Sequence, residues 1–418
     1  MEINYAQLPD NKILCVDIKS FFASVEAVDL GWDPMQVCLV VVGDQNRDGA
    51  VVLASSPLMK KKYNIRTGNR LFEVPQSSDI HIVDARMGLY LKRSLEITLL
   101  FKKFVPLNAI HVYSIDESWL NLNGTERLYG NTYKAAEKIK DELKKRFGLA
   151  SSMGIGPNMF LAKVAMDIEG KKNGLTQWTY DDIKEKLWPI PVKECWGIGR
   201  KLSGWFNKIG VNTVGDVANL PLEFLEDKFG ILGNQLYYQA WGVDLSKLEG
   251  HYKDRHKALG RGITLFKDYT DYNEIKTVIF ELSEEVAWRA RNKNLIGKTI
   301  VLGIGYSKSE KKPGFHVQRT RQEYTNLASE VFQIALQLFG ENYKGEAVRK
   351  VSVALGNLSG ASSMKLNLFE DKLIEINLSE VKDAIEDRYG YQALFTGRSL
   401  RTGSVRERIK TTIGGHGK

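Results

Sequence analysis

Residues 113–120 read YSIDESWL, inside a longer apolar stretch, IHVYSIDESWLNL (110–122). Alternation over this stretch marks a strand or a strand–turn–strand. An adjacent acid pair such as Asp116-Glu117, taken alone, reads equally well as a solvated turn. Its neighbours Val112, Ile115, Trp119 and Leu120 argue otherwise, because they set the acids in a buried strand where unpaired charge is costly. A second acid closes a second β-rich run: KILCVD (12–17) ends on Asp17, and SFFASVEAV (20–28) after it has helical spacing. If the two strands pair, Asp17, Asp116 and Glu117 converge, with the main-chain carbonyl of Ile18 as a further oxygen ligand. Clustered carboxylates can hold two Mg²⁺ ions about 4 Å apart, the arrangement that neutralises the attacking and leaving oxygens in phosphoryl or nucleotidyl transfer.

Bulk properties narrow the class. A chain of 418 residues needs more than one core. Net charge is +9, and residues 251–321 hold 15 Lys and Arg against 8 Asp and Glu, an excess suited to a polyanion or to a merely basic surface. Cys15, Cys38 and Cys195 are too scattered for a disulfide framework or a CxxC metal site, so a reducing cytoplasm is expected. No apolar run approaches the ~20 residues of a membrane span, and the expectation is an unprocessed, soluble monomer with no membrane partner.

The order of elements suggests a multi-domain α/β and α+β protein. QVCLVVVGD (36–44) and AVVLAS (50–55), followed by the basic MKKKYNIRTG (59–68), form a compact insert, and LYLKRSLEITLLFKKF (89–104) is an amphipathic helix. Residues 191–244 are helical and punctuated by glycines. From 257 the pattern is strand (257–265), helix (273–293), strand (298–306), strand (314–324), helix (326–340), strand (348–357), a two-layer βαββαβ unit with one sheet face left open. SGASSM (359–364) then introduces an expected tail.

The glycines of WGIGRKLSGWFNKIGVNTVGDV (196–217) fit a helix–hairpin–helix, with Gly197, Gly199 and Arg200 at a helix start where main-chain N–H groups can hold a DNA phosphate. Lys257 and Arg261 flank Leu259, and Arg319 and Arg321 flank Thr320; period two sets each pair on one strand face, expected to follow a duplex backbone.

Taken together, VDIKSFFASVE (16–26), YSIDESWL, MGIGPNMFLAKVA (153–165), the hairpin and the 251–357 region resemble the Y-family DNA polymerases, nearest the bacterial UmuC/UvrX-like branch. The resemblance implies a right-hand polymerase: palm (1–28 and 85–180), small fingers (29–84), helical thumb (181–250), little finger (251–358) and a C-terminal tail (359–418). It also implies low-fidelity, template-directed synthesis past DNA damage, of the SOS type, from primer-template DNA and dNTP. Asp17, Asp116 and Glu117 match the metal-binding carboxylates. Phe22 falls at the ring that excludes a ribose 2′-hydroxyl, with Phe21 as the competing candidate.

Ser55, Lys61 and Lys171 match triphosphate contacts. Leu58 replaces a usual Tyr, a Lys stands for the usual Arg at 61, and neighbouring Lys60, Lys62 and Lys172 leave the register open by one. In the tail, Leu366, Leu368 and Phe369 resemble the peptide that docks bacterial polymerases on the β sliding clamp, with Lys365 where a Gln is usual. A non-catalytic DNA-binding repair scaffold and a palm-type cyclase are the rival readings. Intact carboxylates speak against the first, and the hairpin and basic α+β unit against the second.

Overall fold

The protein is described by a computed structural model covering residues 3–248, 257–363, 372–413 and 416–417. It divides into two compact units, Met1–Lys253 with His416–Lys418, and Asp254–Gly415.

The first unit is built on β1 (Ile13–Ile18), which alternates strictly. Leu14, Val16 and Ile18 enter one core, whereas Ile13 and Cys15 enter another on the opposite face. Burying a side chain of this size stabilises the fold by roughly 1.5–3 kcal/mol. On the first face lie α1 (Phe21–Asp29) and, further along the chain, α3 (Met87–Phe101) and α5 (Thr132–Phe147), which contribute Ala23, Val25, Leu100, Ile139 and Leu143.

Between α1 and α3 comes the insert: β2 (Cys38–Val42), β3 (Val52–Ser55), α2 (Pro57–Tyr63) and β4 (Ile80–Asp84). Its strands form a separate sheet in the order β3-β2-β4 around Val40, Val42, Val52 and Met59. The main sheet is completed by β5 (Ile110–Val112), β6 (Glu117–Asn121), β7 (Ser151–Gly156) and β8 (Leu175–Gln177), in the order β5-β6-β1-β7-β8. The short α4 (Glu126–Tyr129) precedes α5, while α6 (Met159–Ala165) and α7 (Lys171–Asn173) link β7 to β8. α6 lies so close to β7 that a Cβ on Gly154 would sit 2.3 Å from the Ala162 carbonyl oxygen, so this position requires glycine.

Helices α8 (Arg200–Lys208), α9 (Val214–Ala218), α10 (Leu222–Phe229) and α11 (Ile231–Ala240) follow, packed around Phe206, Val217, Leu225 and Leu236. No helix among the described residues is long and apolar enough to cross a membrane.

The second unit has the expected βαββαβ order: β9 (Ala258–Tyr269), α12 (Tyr272–Asn292), β10 (Leu295–Tyr306), β11 (Phe315–Thr325), α13 (Ala328–Asn342) and β12 (Val348–Gly360). All neighbours are antiparallel in the order β11-β10-β12-β9. Leu259, Ile263, Ile300, Leu302, Val351 and Val353 meet Val278, Leu282, Val331 and Phe339 of the two helices in one core.

The expected tail is in part a built-in element. α14 (Lys372–Tyr389) and α15 (Arg406–Thr411) belong to this unit, and Val405 and Ile409 enter its core. Ion pairs tie these helices to α12 and to each other: Asp383 meets Arg291 of α12 at 2.6 Å and Lys410 meets Glu285 of α12 at 3.2 Å, while Arg406 and Lys410 meet Glu386 of α14 at 2.7 and 3.2 Å. Sequence spacing alone does not show this, because the α12 partners, Arg291 and Glu285, lie far upstream of Asp383 and Lys410. Leu366, Leu368 and Phe369 lie outside the described residues.

Candidate active site

Strand pairing brings the three acids together. Asp17 stands opposite Glu117 on β6 and opposite Ser152 on β7, and the Ile18 N–H donates to the Asp116 carbonyl at 3.0 Å. Because β1 and β6 each alternate, Asp17 shares its face with Cys15, and Glu117 shares it with Trp119.

Each carboxylate has a distinct setting. Asp116 Oδ1 accepts from the Ser114 hydroxyl at 2.6 Å. Glu117 is buried; its Oε2 accepts from Lys163 Nζ at 2.8 Å and its Oε1 from the Cys15 thiol at 3.5 Å. Asp17 is the one under strain: burial, then the negative charge of Asp116, push its pKa up to about 6.

Lys163 escaped the sequence reading, although its signal is plain in retrospect. It is the sole charged residue in an otherwise apolar, fully buried helix, and a buried ammonium requires a carboxylate. Burial works to lower its pKa, but Glu117, Cys15 and Asp167 together more than offset this and leave it raised.

Asp17 and Asp116 open on a cavity of about 560 Å³ lined also by Phe22, Lys60, Thr67 and Lys171, among others. Phe21 and Phe22 both line the cavity and differ in burial. Phe21 is 3% exposed and belongs to the core, whereas Phe22 is partly buried and stacks on Tyr90 with ring centroids 4.3 Å apart.

The triphosphate candidates divide similarly. Lys60, not Lys61, faces the cavity: its Nζ donates to Ser20 Oγ at 2.8 Å, and burial lowers its pKa. Lys61 is exposed outside the lining, and Lys62 pairs with Asp79 at 2.7 Å. The helical rotation of α2 selects one of three adjacent lysines, which a sequence register cannot do. Lys171 lines the cavity and Lys172 does not; Lys171 also pairs with Asp167 at 2.7 Å. Ser55 does not reach the cavity, because it is fully buried and donates to the Ile65 carbonyl at 2.7 Å.

Among the described residues, no three His, Cys, Asp or Glu side chains close around a single ion as placed, since Glu117 is turned toward Lys163. The donor set nonetheless fits hard divalent cations. Every group is an oxygen donor, and the crowding that raises Asp17 is what an added positive charge relieves.

At the hairpin, Gly197 has φ +91° and Gly199 precedes α8 as an N-cap without a side chain, so the first N–H groups of α8 have no side-chain cap and lie beside exposed Arg200. In the second unit, three of the four expected DNA-facing cations lie on the helix-covered face. Arg261 pairs in register with core Val353, and Arg319 with core Ile300. Arg261 donates to Thr412 Oγ1 at 2.8 Å, Arg319 to Glu341 at 2.8 Å and Arg321 to Glu330 at 2.6 Å. Spacing correctly put Arg319 and Arg321 on one face but could not say which. Lys257 is exposed just before β9. The open face carries Gly260, Gly262 and Thr264 opposite Ala354, Ser352 and Lys350, with Thr299, Val301 and Gly303 beside them.

Comparison with known proteins agrees with this layout. The impB/mucB/samB family model matches residues 16–167, its C-terminal domain 256–368, and the HHH motif of the IMS family 180–211. The Bacillus subtilis (strain 168) protein UvrX, whose name assigns it to UV-damage repair, is 44% identical over 99% of both chains. This chain belongs to the impB/mucB/samB family of Y-family DNA polymerases. DNA polymerase IV 2 of Bacillus subtilis (strain 168) is 34% identical over 98% of this chain and 100% of its own. DNA polymerase IV of Moorella thermoacetica (strain ATCC 39073 / JCM 9320) is 34% identical over 95% and 98%. A solved Y-family DNA polymerase chimera, Dbh-Dpo4(243-245)-Dbh, has the same fold: TM-score 0.68, 22% identity, 85% of this chain and 99% of that one.

Proposed function

We propose that this Y-family chain is a template-directed DNA polymerase that extends a primer with dNTPs, tolerates damaged templates and requires Mg²⁺. The observation that carries the reading is the meeting of Asp17, Asp116 and Glu117 at the ends of neighbouring strands, with Asp17 and Asp116 on the wall of a cavity that also holds an aromatic ring and two lysines and Glu117 buried just behind it. Asp17, Asp116 and Glu117, with the Ile18 carbonyl, would hold two Mg²⁺ ions, which when bound supply positive charge to the attacking and leaving oxygens. Lys60 and Lys171 bind the triphosphate as point charges and keep it oriented as pyrophosphate departs. The primer 3′-hydroxyl attacks the α-phosphate while Phe22 lies under the sugar.

The duplex is held without base readout. The α8 N-terminus takes a backbone phosphate, and the small, glycine-rich open face of the second unit lets a sugar–phosphate strand approach closely, with Lys350 and Lys257 as cations. An insert of only three strands encloses the nascent pair loosely, which fits damage bypass. By their resemblance to the clamp-docking peptide, residues 365–369 would bind the apolar groove of a β sliding clamp. The names of the polymerase IV and UV-damage repair relatives support the same activity.

Primer extension on intact and damaged templates, with Mg²⁺ or with chelator, tests the reading. Template-matched extension dependent on Mg²⁺ is expected. Tight duplex binding with no extension would leave a scaffold, and cyclic nucleotide formation without a template would leave a cyclase.

A further inference from the structure

Behind Phe22 lies a chain of contacts that nucleotidyl transfer itself does not require. The Phe22 ring stacks on Tyr90 with its plane only 13° away. Tyr90 has no exposed surface, and its hydroxyl donates to Glu26 Oε1 at 2.6 Å. Glu26 is 2% exposed and is answered by Arg86, whose Nε donates to both carboxylate oxygens at 3.1 Å and whose Nη2 also donates to Glu26. The same Nη2 reaches Asp29 at 2.7 Å.

Helical geometry makes this a closed arrangement. Phe22 and Glu26 are four apart on α1, so they lie on one face; Arg86, the residue before α3, is four from Tyr90 in its first turn. Two rings and two ions therefore alternate across the α1–α3 contact.

A purely structural packing here would be cheaper with apolar residues, because a buried carboxylate is stabilising only when its lone pairs are well satisfied. What the ions add is fixed orientation. The hydroxyl-to-carboxylate bond stops the Tyr90 ring from rotating or sliding, and the stacked pair passes that constraint to Phe22. Burial and Glu26 both raise the Tyr90 pKa, so the hydroxyl remains a donor throughout the neutral range. A ring that must exclude one oxygen atom from a sugar has to be held to within about 0.5 Å.

We propose that Tyr90, held by the Glu26–Arg86 pair, is a positioning residue for sugar selection: it backs the Phe22 ring so that the ring cannot recede from a ribose 2′-hydroxyl. This rests on the reading of Phe22 as the ring beneath the sugar. It adds a second layer to that gate, and it makes discrimination depend on residues that never touch the nucleotide.

The test is single-nucleotide incorporation by the full chain with Mg²⁺, measuring kcat and KM for a dNTP and the matching rNTP in Phe22→Ala, Tyr90→Leu, Tyr90→Phe and Glu26→Gln. Phe22→Ala should relax the dNTP-over-rNTP ratio most. Tyr90→Leu, which deletes the stack, should lower that ratio roughly two- to tenfold through a smaller rNTP KM. Tyr90→Phe and Glu26→Gln, which keep the ring and loosen its anchor, should each lower it by about twofold. Tyr90→Phe preserves the packing and so keeps the test valid if Tyr90→Leu fails to fold. Should Phe22→Ala relax the ratio while both Tyr90 variants match the parent, or lose dNTP and rNTP efficiency equally, the positioning role is overturned. An unchanged ratio in Phe22→Ala itself would remove the gate, and this inference with it.

Discussion

Glu117 and Lys163 form a buried ion pair beneath the acidic rim of the cavity, 2.8 Å apart, with side chains 9% and 8% exposed. Removing one partner of such a pair leaves an uncompensated charge in the interior. Lys163→Met should therefore cost about 3–5 kcal/mol of unfolding free energy, and adding Glu117→Gln should recover most of it. Denaturant melts of the two variants and the parent decide; additive losses in the double variant would contradict direct pairing.

The raised Asp17 pKa makes a signed prediction about pH. An acid lifted from 3.8 to about 6 on folding contributes stability that is fully present below pH 3.8 and is lost as pH rises through about 6. In chelator, Asp17→Asn should therefore match the parent near pH 4 and become more stable than it by up to about 2 kcal/mol at pH 7. Thermal melts across this range check it, and Mg²⁺ should shrink the difference at pH 7 by stabilising the charged parent. A gap that is constant with pH would place the strain elsewhere.

Lys60 and Lys61 differ only in which way α2 turns them. With Lys60 in the cavity wall, Lys60→Ala should raise the dNTP KM roughly tenfold, the scale of one charge-assisted contact. Lys61→Ala should leave it near the parent value. Steady-state incorporation at varied dNTP separates them.

For the second unit, cations on the open face should set the salt dependence of duplex binding. Lys350→Ala should reduce the slope of log affinity against log salt by about 0.9. Arg321→Ala should leave that slope alone and instead destabilise the fold. Although burial works to raise it, the Arg321 contact holds Glu330 down at about 2, so this pair's stabilisation is present above pH 4.5 and is lost as pH falls through about 2. Salt titrations by anisotropy together with acid melts test both halves.

The elements that were legible in the sequence are those whose information is local. Alternation in 12–17 and 110–122 marked the strands, an acid at each strand's end marked the site, and period counting from 257 recovered the βαββαβ order. What escaped depends on rotation or on distant partners. Three consecutive lysines are equivalent until α2 fixes an angle. Arg261, Arg319 and Arg321 share a spacing with either face of a sheet, and only the register opposite Ile300 and Val353 chooses. Arg406 and Lys410 fall in what reads as an appended tail, and Glu284, Glu285 and Glu386, which answer them, lie on other helices.

The most direct test of the central claim is Asp116→Ala assayed for nucleotide incorporation and for duplex binding in the same preparation. Loss of incorporation by roughly a thousandfold or more, with duplex affinity at the parent level, is the expected result. Incorporation retained near the parent rate would contradict it, because the carboxylates that converge on this cavity would not be the ones that carry the chemistry.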